Sequence, residues 1–333
     1  MLEQVLKILK VHQGQYVSGE LLAQNLGISR AAVWKYLVRL KEIGYEIEAV
    51  PRKGYRLLSP TGLLHPLEIK DGLQTAKFGQ NIYAQAEIDS TNKWAKTLAG
   101  QQNAPEGTLV IVEKQTGGRG RMGRSWSSAS GLGLWFSLIL RPQISMSALA
   151  GIMLLTAVSM AKTIFQVTGI QVQIKWPNDV MYQGRKLVGI LAELNGEIDM
   201  VHYLILGVGV NVNHTKEDFP EELAEIATSL KIILGEDCSR RLILQEFLKE
   251  LETAYNQLPS SGIADAIIEY AKVHSATLGK KVKVNMGPGR ILEGEALDLE
   301  SDGSLLVRES NGKITRVYSG DIIERSENKK LEG

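Results

Sequence analysis

Gln115-Thr116-Gly117-Gly118-Arg119-Gly120-Arg121-Met122-Gly123-Arg124-Ser125-Trp126 sets four glycines and three arginines into the ten residues from Gly117 to Trp126. Glycine lets a backbone take positive φ and approach a ligand closely. Arginine carries a forked, permanently charged donor that fits carboxylate and phosphate oxygens. The stretch reads as a loop built to wrap an anion. Gly118, Gly120 and Gly123 also match G-x-G-x-x-G, but a dinucleotide turn must open an apolar helix, with an acidic residue about 20 positions on. Here the loop runs into Ser125-Trp126-Ser127-Ser128-Ala129-Ser130-Gly131, and the later position reads Leu140-Arg141-Pro142-Gln143. No G-K-[ST] occurs, which excludes a Walker loop. The doubly wound nucleotide folds are therefore set aside. Two unit charges ~7 Å apart in water repel by about 0.6 kcal/mol, and ordering a residue costs up to ~2 kcal/mol. With nothing local in opposition, the empty loop is expected to be disordered and to close over its ligand. The bland alternative is a glycine-rich surface hairpin with solvated arginines.

Outward from this loop the chain reads as a mixed α/β body. An apolar strand over 108–113 delivers the loop and a second over 132–140 leaves it. Upstream, a strand over 82–88 ends in Asp89-Ser90-Thr91-Asn92 before a helix beginning at Lys93. Small hydroxyl and amide residues at such a junction offer a cap and free N–H groups; taken alone, the motif reads as capping. Downstream, a long apolar helix over 147–167 precedes a strand over 172–176 that ends in Lys175-Trp176-Pro177-Asn178-Asp179. Proline breaks the ladder there and leaves Asn178 and Asp179 at a strand end. A hairpin follows, with Lys186 opening the apolar run 187–194. A cation at the lip of a dry sheet either snorkels or faces an anionic ligand. The strand over 200–212 contains Gly207 and Gly209, which could open room for a ligand tail. From Asn211 a polar loop to about Pro220 is a candidate second lid. Helices over 239–258, with Leu242, Leu244, Phe247, Leu248 and Leu251 on its apolar face, and over 260–275 close the body. Short alternating strands with turns at Ser301-Asp302-Gly303 and Ser310-Asn311-Gly312 suggest a small barrel. The charged tail 325–333 is expected to fray.

Residues 1–60 differ in character. They hold nine Lys/Arg against five Asp/Glu in a chain of 333 residues whose net charge is +1. Leu2, Val5, Leu6 and Leu9 recur at helical spacing. Ser18 can cap a second helix with Leu21, Leu22 and Leu26 facing inward, and Gly27-Ile28 forms a tight turn. Ser29 can cap a third helix over 30–43 with Val33, Leu37 and Leu40 as its stripe. This is a helix-turn-helix. Ser29, Arg30, Trp34 and Lys35 lie on the face that would enter a major groove. Arg52 and Lys53 sit at the tip of a strand-turn-strand wing that could reach phosphate. A protein-binding three-helix module with solvated cations is the bland alternative.

The single cysteine, Cys238, excludes an internal disulfide, and five scattered histidines argue against a histidine-built metal site. The opening Met1-Leu2-Glu3-Gln4 is not a secretory signal, and no apolar run is expected to reach membrane-spanning length, so a cytoplasmic protein without a membrane partner is expected.

The arginine loop, K-W-P-N-D and G-R-K-L-V-G-I-L, with D-S-T-N upstream and a winged helix in front, resemble the bifunctional biotin–protein ligases that also repress the biotin operon. The likeness spans residues 5 to 325. That family often carries more basic residues near positions 122 and 125, where this chain has Met122 and Ser125. The resemblance implies three parts in an α+β multidomain chain: a winged helix-turn-helix over 1–60, a ligase domain over 65–275 with the mixed sheet of class II aminoacyl-tRNA synthetases and lipoate ligases, and an SH3-like barrel over 276–325. It implies ATP, Mg²⁺ and biotin, with biotinyl-5′-AMP as intermediate and corepressor. It implies a biotin carboxyl carrier domain as acceptor, operator DNA bound through residues 1–60, and a ligand-dependent homodimer. Carried over by position, Ser90, Thr91, Asn92, Gln115, Arg119, Gly120, Arg121 and Lys186 should contact biotin or its adenylate. Trp126 should stack on adenine once the loops close. Arg121, Lys186 and Asp179 are the candidates for the chemistry, Asp179 by placing Mg²⁺ or the incoming amine; the metal ligands are otherwise unknown.

Overall fold

The computed structural model describes residues 1–59, 62, 64–142, 149–197, 200–258, 264–287 and 289–323. They fall into two compact units, 1–68 and 69–333. The charged tail 325–333 and the first residues of the helix expected over 147–167 lie outside the described residues.

In the first unit, α1 (Leu2–Val11), α2 (Gly19–Leu26) and α3 (Arg30–Glu42) pack Val5, Leu9, Leu22, Val33, Leu37 and Leu40 into one core. The Ser18 and Ser29 hydroxyls accept the Leu21 and Ala32 N–H groups, satisfying helix-start donors. Gly27 takes the left-handed conformation that ends α2. Leu21 is exposed, not inward as expected. Adjacent helical residues point about 100° apart, and Leu22 takes the core position. Strands β1 (Glu46–Val50) and β2 (Gly54–Ser59) form the antiparallel wing. A short α4 (Pro66–Lys70) follows. Its buried Glu68 accepts from Lys10 Nζ at 2.8 Å and Tyr45 Oη at 2.5 Å, so the buried carboxylate is neutralised and hydrogen-bonded.

The second unit is built on a seven-stranded sheet in the order β3-β4-β5-β9-β8-β7-β6. Its strands are β3 (Ile82–Ile88), β4 (Leu109–Gln115), β5 (Gly133–Leu140), β6 (Gln173–Lys175), β7 (Asp179–Tyr182), β8 (Arg185–Glu197) and β9 (Met200–Asn211). Only β3 and β4 run parallel, joined through α5 (Thr91–Gln101); the other neighbours are antiparallel. The sheet is mixed, and the chain is not doubly wound. Central β5 is buried along its whole length, so it reads as continuous apolar sequence rather than alternation. Its Phe136 meets Phe247 of α8 (Arg240–Tyr255) edge to face at 5.6 Å, while Ser137 faces α5.

Helices α6 (Leu149–Thr168) and α8 pack on one another; α7 (Leu230–Leu234) precedes α8 in the chain and α9 (Asp265–Val273) follows it. Against the sequence reading, residues Ala150–Thr168 are long and apolar enough to cross a membrane, but 78% of that span is buried inside the fold. Leu242 is exposed; Ile243 takes its expected place beside Leu244, Phe247 and Leu248. Strands β10 (Lys281–Asn285), β11 (Ile291–Leu299), β12 (Leu305–Glu309), β13 (Ile314–Val317) and β14 (Asp321–Ile323) make a separate five-stranded antiparallel sheet. The Trp176 indole N–H donates to Gly303 O at 2.9 Å and the Trp176 amide to Thr277 Oγ1 at 3.1 Å. These bonds pin the Lys175–Asp179 turn, whose Trp176–Pro177 peptide is cis, against the carboxy-terminal sheet.

Candidate functional site

One cavity collects most of the residues singled out above. Ser90, Thr91, Asn92, Gln115, Arg119, Gly120, Arg121, Trp126, Asp179 and Lys186 all line it. They come from the start of α5, the end of β4 and its loop, and the β7–β8 hairpin, which the sheet order brings together at one end of the strands.

The loop after β4 is ordered. Gly120 N–H donates to Arg124 O at 2.7 Å and Trp126 N–H to Gly118 O at 2.9 Å, closing it on itself. Arg121 Nε lies 2.8 Å from Asp321 Oδ1, its Nη2 donates to Gly320 O at 3.1 Å, and Arg124 Nη2 lies 3.5 Å from Asp321 Oδ2. Here the expectation of a disordered loop fails for a physical reason. Arginine repulsion is opposed after all, by a buried carboxylate on β14, far away in sequence. Asp321→Asn keeps the shape and removes the charge. It should raise amide hydrogen exchange across residues 119–125 by at least about tenfold, the scale of a charged hydrogen bond; unchanged exchange would mean the loop is held by its own turn.

Trp126 forms part of the cavity wall and packs on the sheet. Its indole lies on the backbone of β8 and β9, where a Cβ on Gly189 or Gly209 would come within 2.5 or 2.6 Å of the ring. Trp135 meets it edge-on at 6.2 Å, Lys186 Nζ sits 5.4 Å from its centroid, and its buried Nε1 has no hydrogen-bond partner. The glycines do clear space, but protein enters it: a Cβ at Gly207 would overlap the Asn92 amide.

Lys186 Nζ lies 2.8 Å from Asp179 Oδ1. Asn178 braces this turn, its Nδ2 donating to Ile190 O at 2.8 Å and its carbonyl accepting Ile190 N–H at 3.1 Å. Ser90 stands at the N-cap position of α5 but makes no cap bond. The Thr91 N–H instead donates to Gln115 Oε1 at 2.8 Å, and Gln115 Nε2 donates to Ser128 Oγ at 3.0 Å. Beneath them, Ser137 Oγ lies 2.6 Å from Asn92 Oδ1 and 2.8 Å from Thr91 Oγ1. Asn92 Nδ2 donates to Glu193 Oε2 at 2.7 Å, and Lys96 Nζ lies 2.5 Å from Glu193 Oε1. Sequence reasoning missed Asp321, Ser128, Ser137, Glu193 and Lys96. Ser137 and Glu193 carried a signal, as isolated polar residues in the apolar runs 133–140 and 187–194.

The loop after β9 stacks His214 on Phe219 at 4.9 Å and sets it edge-on to Trp135 at 5.8 Å. Burial pushes the imidazole down to about 4, with Asp218 opposing weakly. The folded state resists a proton that the unfolded chain takes up near 6.5. The contribution to stability is therefore complete above pH 6.5 and is lost as pH falls toward 4, by about 3 kcal/mol. His214→Phe should flatten the fall in urea midpoint between pH 7 and 4.5 relative to the parent chain; parallel falls would remove His214 as its source.

In the first unit, Ser29, Arg30, Trp34 and Lys35 are exposed along α3, Trp34 at 57%, and Arg52 and Lys53 are exposed at the wing tip.

Residues 84–211 match the model of the biotin/lipoate A/B protein ligase family, residues 2–56 an HTH domain, and residues 277–325 the biotin protein ligase C-terminal domain. The chain is 42% identical over 308 residues to the bifunctional ligase/repressor BirA of Bacillus subtilis (strain 168), covering 92% of this chain and 94% of that one. It is 31% identical over 316 residues to BirA of Escherichia coli (strain K12), covering 95% of each. Among solved structures, the biotin protein ligase from Aquifex aeolicus in complex with biotin and ATP aligns with a TM-score of 0.63 at 31% identity, over 73% of this chain and 98% of that one.

Proposed function

This chain belongs to the bifunctional ligase/repressor family of biotin protein ligases, and from that membership we propose that its cavity joins biotin to AMP and then to a carrier protein, while its winged helix represses transcription. The observation that carries the reading is the convergence of Thr91, Gln115, Arg121, Trp126, Asp179 and Lys186 on one cavity. Hydroxyl and amide groups at its Ser90–Gln115 end suit a cyclic urea. Lys186 and the loop arginines suit a carboxylate and a phosphate.

In the first step a biotin carboxylate oxygen bonds to the α-phosphorus of ATP, and the bond to pyrophosphate breaks. Lys186 and Arg121 face the phosphate oxygens, where negative charge shifts during transfer, and stabilise that charge electrostatically. For Arg121 to do so it exchanges or shares its hold on Asp321, which couples ligand binding to the carboxy-terminal sheet. Arg119 and Gly120 cover the adenylate. In the second step a carrier-domain lysine amine attacks the acyl carbon, AMP departs with the bonding pair, and the proton lost by the amine passes to solvent water. Asp179, beside Lys186, is placed to orient that amine.

Among the described residues no group of three His, Cys, Asp or Glu could hold a metal. The carboxylates lining the cavity, Asp179 and Asp321, each pair with a cation. That donor set fits Mg²⁺ carried in by the triphosphate better than a protein cage. Bound there, the ion would neutralise charge on the leaving pyrophosphate, and Asp179 is the residue that would hold it.

The parts are read as a winged helix-turn-helix over 1–60, a ligase domain of class II aminoacyl-tRNA synthetase type over 65–275 and an SH3-like barrel over 276–325, in a cytoplasmic protein. One winged module reaches few phosphates, so operator binding is assigned to a homodimer formed with biotinyl-5′-AMP on a two-part site. Lys35→Ala should weaken operator binding and reduce its salt slope by about one, leaving ligase turnover unchanged; an equal fall in turnover would overturn the division of labour.

The test is mass spectrometry of a biotin carboxyl carrier domain after incubation with this chain, ATP, Mg²⁺ and either biotin or lipoate. One biotinyl group per carrier is expected. A lipoyl group would mark a lipoate ligase, and no gain would mark a ligand sensor without catalysis.

A further inference from the structure

Under the floor of the cavity, a hydrogen-bonded chain runs from the surface of β8 to the residues that face the ligand. It begins at Glu193, whose two oxygens meet Lys96 Nζ at 2.5 Å and Asn92 Nδ2 at 2.7 Å. It continues through Asn92 Oδ1 to Ser137 at 2.6 Å, from Ser137 to Thr91 Oγ1 at 2.8 Å, and from Thr91 to Gln115 Oε1 at 3.1 Å. Ser137, Thr91 and Asn92 are all buried. Gly207 keeps the Asn92 amide in place by leaving room where a Cβ would overlap it.

We propose that Glu193 is a positioning residue that fixes the direction of this chain and thereby makes Thr91 a hydrogen-bond acceptor toward the ligand, selecting a head group with an N–H donor. The inference rests on the reading of the cavity as the biotin site. A carboxylate beside an ammonium is ionised and only accepts. It therefore turns the Asn92 amide nitrogen toward itself and the amide carbonyl toward Ser137. That carbonyl also only accepts, so the single Ser137 hydroxyl proton goes to Asn92, and Ser137 is left as an acceptor for Thr91. Gln115 is turned the same way: its Oε1 already accepts Thr91 N–H and its Nε2 donates to Ser128. Both protein groups within reach of the Thr91 hydroxyl are acceptors, so its proton points into the protein and its free lone pair faces the cavity. Ring N–H groups of a cyclic urea supply the donor that this lone pair needs. A ring bearing oxygen at those positions presents lone pair to lone pair. Asn92, expected to touch the ligand, serves here as a link beneath it.

The experiment measures binding to the full chain by calorimetry, using biotin and the analogue whose two ring N–H groups are replaced by oxygen, and the adenylation kinetics with biotin. In Glu193→Gln the terminal group can donate or accept, so Asn92 and Ser137 lose their fixed direction and Ser137 can turn its proton onto the Thr91 lone pair that the ligand needs. Biotin Kd and KM should rise at least about tenfold, the scale of one hydrogen bond in such a network. The analogue's affinity should hold or improve, and kcat and the KM for ATP should stay within about twofold. Ser137→Ala, which cuts the chain at its middle, should show the same selective loss, and Lys96→Gln, which leaves the Glu193–Asn92 bond, should not. Equal losses for biotin and analogue would assign Glu193 to structure alone and overturn the proposal, as would unchanged biotin affinity in both Glu193→Gln and Ser137→Ala. A parent chain that binds neither compound would overturn the assignment of the cavity itself.

Discussion

Lys186→Met should lower the rate of biotinyl-adenylate formation by roughly 10²–10³-fold, the range seen when a preorganised charge donor at a reacting centre is removed. Two effects add. The cation facing the carboxylate and phosphate is lost, and Asp179, from which Lys186 Nζ stands 2.8 Å away, becomes an uncompensated negative charge beside an anionic substrate. Methionine keeps most of the apolar stem that lies near the Trp126 ring, so the loss reports charge rather than packing. Pyrophosphate release under single-turnover conditions measures it. A change below about threefold would remove Lys186 from the chemistry, since a single charged hydrogen bond exceeds that.

Gly209→Val is the second large effect. Valine suits a strand by propensity, so β9 keeps its pairing. Its first side-chain atom, however, would stand 2.6 Å from the Trp126 indole. The ring must leave, and the loop that carries Arg121 and Arg124 is displaced with it, because Trp126 N–H closes the loop on Gly118. Adenylate formation should fall by at least about 100-fold, a misplacement effect of the size expected when positioning groups move by an ångström. Overpacking should cost about 1–3 kcal/mol of stability. Indole emission should shift to the red as Trp126 meets water. Full activity with unshifted emission would show that the ring and loop move independently.

The fold was legible wherever local pattern and tertiary need agree. The helix-turn-helix announces itself through two serine caps that the structure uses as caps. The strands flanking the arginine loop announce themselves as apolar runs. What could not be read was pairing at a distance. Asp321 sits in an unremarkable Gly320-Asp321-Ile322 and gains meaning only because β14 brings it to Arg121. That carboxylate pairs with both Arg121 and Arg124, a contact that no count of local charges reveals. Ser90 stands at the N-cap of α5 without a side-chain cap bond, while Gln115 from the neighbouring strand takes the Thr91 N–H and Asp89 takes that of Ser90. Glycines 207 and 209 read in sequence as room for a ligand tail, whereas Asn92 and Trp126 occupy that room, set there by the packing of α5 and the loop on the sheet.

The decisive measurement follows the α-phosphate. The chain is mixed with biotin, Mg²⁺ and ATP labelled at the α-phosphorus, quenched within one turnover, and the protein-bound nucleotide identified. Labelled biotinyl-5′-AMP close to one per chain is expected from the parent, with little from Lys186→Met. Label that stays in ATP with the parent chain, or adenylate formed equally by both, would contradict an anion-clasping cavity that activates biotin.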